Sequence, residues 1–339
     1  MMSPDLPMSK PTRPGPAARG RLRDYAVIGA LLALFVVGVA GLAAATGWRE
    51  TWAQISRLAL WQGAVLLALS LTNYLLRGLR WHIFARRIGL PTTLAQDLRH
   101  FLGGFAMSVT PGRVGELVRM RWLARETGWT FDRTAPLVLV DRASDLAAVA
   151  LLLGLSISLA ASGIRGAVPV TLFALALAVI ATRPRLLTAV IEIAFCLVHR
   201  LPRLFARARA AARSLDRFSH GPVLALALAL GLVGWAAEGY AFHLLLVWMG
   251  ADIGIAKAVA IFVFSTLAGS LTGAPGGVGG AEAAMIALLT LDGVPIEASV
   301  AATAIIRVTT LWFAVVLGLI VFPVAERKSL KGPDALEID

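Results

Sequence analysis

Six apolar runs with at most one charge each constrain this chain more than any other feature. A hydrocarbon core of about 30 Å requires about 20 helical residues, and these runs approach or exceed that length. Only 15% of the residues are charged, whereas soluble domains average about 25%. The sequence therefore predicts an all-α polytopic membrane protein with about six full spans. The runs lie at residues 25–48, 58–76, 146–164, 166–182, 221–251 and 298–325.

The positive charges are distributed unevenly between the predicted spans. With a cytoplasmic N-terminus, 26 of the 32 Lys and Arg residues fall in the two tails and in the stretches 77–133 and 183–217. The positive-inside rule then predicts a multi-pass protein of the plasma (inner) membrane with both termini in the cytoplasm. The net charge of +12 by itself would suit a nucleic-acid partner, but its distribution on one side of the membrane indicates contact with anionic phospholipid headgroups and no nucleic-acid partner. Residues 200–217 are interpreted as a basic surface helix, or alternatively as a solvated linker.

Two segments rich in glycine and proline interrupt the apolar pattern, at 101–116 and 262–282. The apolar part of the first would form a helix of about 18 Å, which is too short to cross a bilayer. The second is long enough to cross, but its glycines and proline would break a helix in the middle. We interpret both as re-entrant hairpins, whose irregular backbone needs protein or a water-filled cavity around it. The breaking residues of the second segment are Pro275, Gly276, Gly277 and Gly279.

The two broken segments also resemble copies of one another. Pro111-Gly112 and Pro275-Gly276 are 164 positions apart, and Arg142 and Arg307 are 165 apart. Three spans per half with opposite starting sides predict an inverted 3+3 repeat, or eight membrane segments if the hairpins are counted, with a binding site near the midplane. The predicted organisation is a disordered basic tail (1–24), a transmembrane domain (25–325, with halves at about 25–164 and 166–325) and a cytoplasmic tail (326–339).

Ionisable residues within or beside the spans form the candidate substrate-binding site. Each costs about 2.5–3.5 kcal/mol to bury, so it must pair, face water or contact a ligand. Arginines could receive a phosphate, while carboxylates could balance them or receive an amine or a proton. The alternative is a set of salt bridges that hold the halves together. Besides the glycine turn, the candidates are Arg113, Glu116, Arg119, Asp141, Arg142, Asp145, Glu238, Glu282 and Arg307.

Three of these candidates share one short motif. Asp141, Arg142 and Asp145 are placed at the start of the third span, with Arg142 and Asp145 on one helical face. The histidines show no metal-ligand spacing, and neither a metal nor a cofactor is predicted.

Five motifs occur in a characteristic order: Arg77-Gly-Leu-Arg80-Trp81, Pro111-Gly-Arg-Val-Gly-Glu116-Leu-Val-Arg119, Asp141-Arg142-Ala-Ser-Asp145, Pro275-Gly-Gly-Val-Gly-Gly-Ala-Glu282 and Arg307. Together they resemble the lysylphosphatidylglycerol synthase transmembrane-domain family, also called flippase-like domain proteins, over residues 25–325. The resemblance implies a multi-helix membrane domain associated with lipid translocation. Aminoacyl-lipid members carry a further soluble transferase domain, and because this chain stops at Asp339, synthase activity is not expected. Two departures, Asp141 in place of the family's frequent Glu and an inserted Gly280, leave the lipid undefined.

Three functions fit these features. The first is a lipid translocator or lipid-handling transporter that moves a polar or anionic headgroup of a phospholipid or a polyprenyl (isoprenoid) lipid through a central cavity. The second is a membrane-embedded transferase acting on such lipids with Asp141 and Asp145 as an acid pair, although no catalytic motif is recognisable and no enzyme is predicted. The third is a scaffold for lipid-biosynthesis enzymes, which predicts mutually paired charges and no open cavity. The oligomeric state is left open.

Overall fold

The computed structural model describes residues 58–109, 114–160, 167–198 and 221–330. Every regular element in these residues is helical, as the apolar runs predict. The predicted first span, the N-terminal tail, most of the 200–217 linker and the residues after 330 lie outside the described part of the chain. A few further positions are described as well, at 33, 49, 53, 56, 205, 206, 209, 212 and 218.

Four continuous helical segments are long enough to cross a bilayer, at about 42 Å or more each. Two of them, Gly221–Trp248 and Ile296–Ser329, are also sufficiently apolar by composition to be candidate spans. The second of these contains a π-helical turn, Val308–Trp312. The segments are α1 (Leu60–Arg87), α4 (Phe131–Leu159), α7 (Gly221–Trp248), and α10 (Ile296–Arg307), which continues through the π turn into α11 (Phe313–Ser329).

The helices extend beyond two of the predicted spans. Helix α1 continues past the predicted end at residue 76 to Arg87, and α4 begins at Phe131 instead of 146. The motif with Asp141, Arg142 and Asp145 therefore lies in the middle of α4 and not at its start. Charges were taken as span ends, but these charges remain inside helices because they find oppositely charged partners there.

Both glycine- and proline-rich segments form a helix, a break and a second helix, as predicted. In the first, α2 (Leu94–Gly103) and a 3-10 turn (Gly104–Met107) precede α3 (Val114–Thr127). In the second, α8 (Ile255–Leu271) precedes α9 (Gly280–Leu291). These four helices measure about 15–26 Å, which is less than the hydrocarbon core of about 30 Å. We name the two units the first and second hairpin.

The turn of the second hairpin depends on glycine. Gly276, Gly277 and Gly279 have φ angles of 65°, 68° and 88°, in a region where a Cβ atom would be strained. Of the first hairpin's turn, Pro111, Gly112 and Arg113 lie outside the described residues.

Each hairpin brings its two arms together at a pair of glycines. A Cβ atom on Gly115 would lie 2.4 Å from the carbonyl oxygen of Gly104, and one on Gly280 would lie 3.3 Å from the Cα of Gly269. Gly104 and Gly269 are 165 positions apart, and so are Gly115 and Gly280. Both hairpins therefore cross at equivalent sequence positions.

The long helices interlock the two hairpins. Helix α7 packs along α1, α4 and α8, while α4 also packs against α8 of the second hairpin. Helix α11 packs against α2 and the 3-10 turn of the first hairpin. A Cβ atom on Gly318 of α11 would lie 2.1 Å from the amide nitrogen of Ala106, so glycine is needed for this approach. The two hairpins thus meet around one centre, enclosed by the long helices.

Two shorter helices lie at the side of this centre. Helix α5 (Ala167–Thr182) packs against α4, and α6 (Pro184–Val198) follows it with exposed apolar residues such as Ile193. Helix α6 covers the short apolar stretch after Arg185 up to Val198, the last residue described there.

Candidate functional site

A cavity of about 340 Å³ lies between the two hairpins. Its wall includes residues of both broken segments and of helices α1, α4, α7 and α10. Seven of the predicted site residues line it: Glu116, Arg119, Arg142, Glu238, Gly276, Gly277 and Arg307. Lining residues that sequence reasoning missed include Tyr74, Arg77, Trp235 and Thr310. An open cavity of this kind does not fit the scaffold hypothesis, which predicted none.

In the first half, Arg142 forms a loose ion pair with Glu116. Its Nε lies 2.8 Å from Glu116 Oε1, but this N–H is not aligned for a hydrogen bond. Its Nη1 lies 3.6 Å from Asp145, which confirms that these two residues share a helical face. The Arg142 side chain is 30% exposed. Charge attraction without hydrogen-bond alignment therefore holds this arginine at the cavity wall.

In the second half, Arg307 forms a hydrogen-bonded clamp. Its Nε donates to Glu282 Oε1 at 2.6 Å, and its Nη2 donates to the Gly276 carbonyl at 2.8 Å. The other Glu282 oxygen accepts from the Gly279 backbone N–H at 2.7 Å. Arg307 thereby ties the glycine turn to the start of α9. The π-helical turn follows directly after it, and such turns are frequent at functional sites.

A buried ion-pair network involving Arg77 and Arg80 of α1 supports the first half. Arg77 Nη2 donates to Asp145 at 2.6 Å, while Arg80 Nη2 donates to Asp141 and to Asp145, both at 2.7 Å. The sequence analysis placed these two arginines in a cytoplasmic stretch and not among the site residues, whereas the structure shows both buried against α4. The signal was their i, i+3 spacing, which places both on one face of a helix. Asp141 and Asp145 both form ion pairs with arginines of α1. The transferase hypothesis required them as a free acid pair, and this arrangement differs from it.

Arg119, one of the predicted site residues, is buried in the wall of the cavity. It is only 3% exposed and makes no ion pair within the described residues. Its guanidinium lies 4.2 Å from the Phe101 ring centre and 5.6 Å from those of Trp81 and Phe105. Two of its nitrogens, Nε and Nη1, have no hydrogen-bond acceptor. The cavity therefore contains a buried arginine that no described carboxylate neutralises.

Glu238 is the corresponding carboxylate without a cation partner. It lies in the middle of α7, is 4% exposed, and forms no ion pair among the residues that the structure describes. The charged groups that act on it include Arg77 and Arg307. The cavity thus presents one buried guanidinium and one buried carboxyl group that are both available to a ligand.

Several predicted site residues shape the site without lining the cavity. Asp141, Asp145 and Glu282 act as partners of arginines. Pro275 and Gly279 belong to the turn. Arg113 lies outside the described residues.

Comparison with known proteins identifies a family over most of the chain and two relatives over 30% of it. A family model described as "Lysylphosphatidylglycerol synthase TM region" matches residues 26–318. A "UPF0104 membrane protein" of Methanothermobacter thermautotrophicus is 28% identical over 101 residues, which cover 30% of each chain. A second match described in the same words, from the same organism, is 27% identical over 103 residues, covering 30% of this chain and 31% of the relative. The matched part spans about a third of the length of these relatives.

Proposed function

Because the chain belongs to the lysylphosphatidylglycerol synthase TM region family, we propose that it is a lipid translocator that moves a polar or anionic lipid headgroup through the central cavity. The family match bears out the motif resemblance, and the chain is an all-helical membrane protein. The observation that carries the proposal is the 340 Å³ cavity between two broken helices, lined by arginines and a buried glutamate. Broken helices that meet around polar side chains are typical of transporter binding sites.

The proposed architecture is six spans and two re-entrant hairpins in an inverted 3+3 repeat. The glycine crossings at equivalent positions of the two hairpins support it. So do the matching ion pairs, because Arg142 with Glu116 and Arg307 with Glu282 each join a long helix to the start of a hairpin helix. In this arrangement the protein is a multi-pass plasma-membrane protein with both termini in the cytoplasm. Arg77, Arg80 and Arg119 are buried and do not bear on the positive-inside rule. Without them, most Lys and Arg residues still fall on the cytoplasmic side.

The chemistry of the cavity suits a headgroup whose lipid tails stay outside it. Acyl or polyprenyl chains remain in the hydrocarbon, where they need no polar partner, while the headgroup exchanges its water for protein groups. The arginines balance the charge of an anionic headgroup. Glu238 and the carboxylates paired with arginines limit how tightly the headgroup binds, so that it can also be released. Phospholipids and polyprenyl lipids are the proposed substrates, and enzymes of lipid biosynthesis are proposed partners.

Translocation can be tested in vesicles reconstituted with the full chain and a fluorescent short-chain phospholipid, by following the loss of fluorescence when a quencher is added outside. The quencher first reaches the lipid of the outer leaflet, and any further loss of fluorescence requires that the protein move lipid from the inner leaflet. We expect Arg142→Ala and Arg307→Ala to abolish this second phase. Arg86→Ala is the matched control, since Arg86 is exposed at the end of α1. Full activity in both cavity variants would contradict the proposal.

The inverted arrangement has a separate test. Single cysteines at Gly112 and Gly276 are expected to react with a membrane-impermeant reagent from opposite sides of sealed vesicles. Labelling of both from the same side would overturn the inverted repeat. The single native cysteine, Cys196, is replaced by Ser beforehand.

A further inference from the structure

Arg119 differs from the other arginines around the cavity. Arg77, Arg142 and Arg307 each lie within 2.8 Å of a carboxylate oxygen. Arg119 is more buried than these three but has no carboxylate within ion-pair distance among the described residues. A buried charge without a partner is among the costliest features that a fold can contain, so its persistence points to a ligand.

The surroundings hold the Arg119 guanidinium without satisfying it. A Cβ atom on Gly104 would lie 2.2 Å from Arg119 Nε, so only glycine at this position leaves room for the side chain. The guanidinium lies over the face of the Phe101 ring, 4.2 Å from its centre, and this cation–π contact stabilises the charge. The ring nevertheless provides no acceptor in the plane of the N–H groups. The N–H groups at Nε and Nη1 remain unsatisfied.

Arg142 stands beside this group with an imperfect partner. It lines the same cavity, and its positive charge acts on Arg119. Its contact with Glu116 is close, at 2.8 Å, but the N–H is not directed at the oxygen. Arg142 also lies 3.6 Å from Asp145 and 3.8 Å from Asp141, which is beyond hydrogen-bond distance, so none of its three described carboxylate neighbours accepts a hydrogen bond from it. An anion with several acceptor oxygens would satisfy both guanidinium groups better than Glu116 does.

We infer that Arg119 and Arg142 form a phosphate site and that the bound phosphate displaces Glu116 from Arg142. This inference rests on the proposed function and names the headgroup chemistry, a phosphomonoester or phosphodiester anion. Its two or more non-bridging oxygens accept from Arg119 and from Arg142. When no phosphate is bound, Glu116 lies beside Arg142. The positive charges of Arg119 and Arg142 are therefore never without a negative charge nearby.

The phosphate could come from a lipid headgroup or from a soluble compound, and binding measurements separate the two. The delipidated full chain in neutral detergent is titrated with dioleoylphosphatidylglycerol, with dioleoylglycerol as the phosphate-free reference, and with glycerol 3-phosphate. Bound lipid is counted by native mass spectrometry, and the midpoint of thermal unfolding is recorded in parallel. We expect dioleoylphosphatidylglycerol to bind and to raise the midpoint, and dioleoylglycerol to do neither.

Variants at Arg119 decide whether it binds phosphate or only packs. Arg119→Met keeps the apolar contact with Phe101 and removes the charge. We expect roughly a tenfold or greater loss of phosphatidylglycerol affinity, together with an unchanged or higher unfolding midpoint without lipid, because an unpaired buried charge has been removed. The control, Arg86→Gln, removes the same charge from an exposed position and should change neither. A lower midpoint with unaltered lipid binding would overturn the inference and make Arg119 a packing residue.

Glu116→Gln tests the displacement step with an effect of opposite sign. Without the competing carboxylate, phosphatidylglycerol should bind several-fold more tightly than to the wild type. Equal or weaker binding would overturn the displacement of Glu116.

The remaining outcomes separate this inference from the proposed function. Arg119-dependent binding in a protein that fails to move lipid in vesicles supports the phosphate site and contradicts translocation. Equal protection by glycerol 3-phosphate and the lipid supports a phosphate site for soluble anions and contradicts a lipid substrate. Translocation that persists in Arg119→Met with undiminished binding overturns the phosphate site alone.

Discussion

The ion pairs Arg142–Glu116 and Arg307–Glu282 join the same residue types, 165 and 166 positions apart in the sequence, but they are held differently. Arg307 donates two hydrogen bonds, and the side chains of its pair are 9% and 12% exposed. Arg142 lies near Glu116 without hydrogen-bond alignment, and the side chains of that pair are 30% and 20% exposed. The Arg307–Glu282 pair is hydrogen-bonded to the backbone of the glycine turn, whereas the Arg142–Glu116 pair faces the cavity.

This difference indicates a division of labour between the two ion pairs. Removing one partner from a buried, hydrogen-bonded pair leaves an uncompensated charge and is strongly destabilising. A partly exposed pair with poor geometry contributes little to stability and can exchange its partner. The Arg307–Glu282 pair is therefore expected to hold the second hairpin rigidly at the cavity. The Arg142–Glu116 pair is expected to open when a ligand binds. The following predictions test this contrast, from the largest expected change in the free energy of unfolding to the smallest.

Loss of Arg307 should have the largest effect. Arg307→Ala leaves Glu282 and the Gly276 carbonyl without their donor, and we expect the free energy of unfolding to fall by about 3–5 kcal/mol. Denaturant unfolding in mild detergent measures this change. The double variant Arg307→Ala with Glu282→Gln should recover part of the loss. A fall of less than about 1 kcal/mol would show that the clamp is not structural.

Substitution of the crossing glycines should have the next largest effect, and a similar one in both halves. A Cβ atom at Gly115 or at Gly269 would lie within 2.4 Å and 2.7 Å of its neighbour, so each Ala variant should lose about 1–3 kcal/mol. Gly63→Ala is the control, because a Cβ there meets nothing within 4 Å, and alanine favours the helix. Tolerance at only one crossing would break the equivalence of the hairpins.

The outer end of the first hairpin should show a smaller, pH-dependent effect. Burial raises the pKa of the Glu126 carboxyl, but the neighbouring His100 and Arg99 lower it more, so the net pKa is below its ordinary value of 4.5. Arg99 Nη2 lies 2.8 Å from this carboxylate. A carboxyl group with a lowered pKa in the folded state stabilises the protein above its unfolded pKa, and that contribution is lost as the pH falls through the folded value.

Comparison with Glu126→Gln measures this contribution. At pH 7 the wild type should exceed the variant by about 1 kcal/mol in the free energy of unfolding, and the difference should shrink as the pH falls below about 4.5. Unfolding measured between pH 7 and pH 3 gives both curves. A difference that is independent of pH would contradict the assignment to this ion pair.

Loss of Arg142 should change stability least and activity most. Arg142→Ala should lower the free energy of unfolding by less than about 0.5 kcal/mol, since the pair is partly exposed and poorly aligned. Translocation in vesicles should nevertheless be lost. A large loss of stability would show that the first pair is a clamp like the second, and the contrast between the halves would disappear.

The broad organisation of the molecule could be predicted from the sequence, but the arrangement of its charges could not. The lengths of the apolar runs and the positions of Pro275 and Gly276 determine helices and breaks locally, so both hairpins were predicted. The ends of α1 and α4 were missed because Arg77 and Asp145 looked like solvated span ends when each was considered alone. Each is buried because the other lies 2.6 Å away, across 68 positions of sequence.

The sequence by itself determined a helical membrane domain with two broken segments, since hydrophobicity, glycine and proline act over a few neighbouring residues. Only the tertiary structure decided which charge meets which partner. It places Arg80 beside Asp141, gives Arg307 a hydrogen-bonded clamp, and leaves Arg119 without an ion pair in the described part of the chain. The physical reason is that the cost of a buried charge depends on what surrounds it, and here the surroundings come from helices distant in sequence.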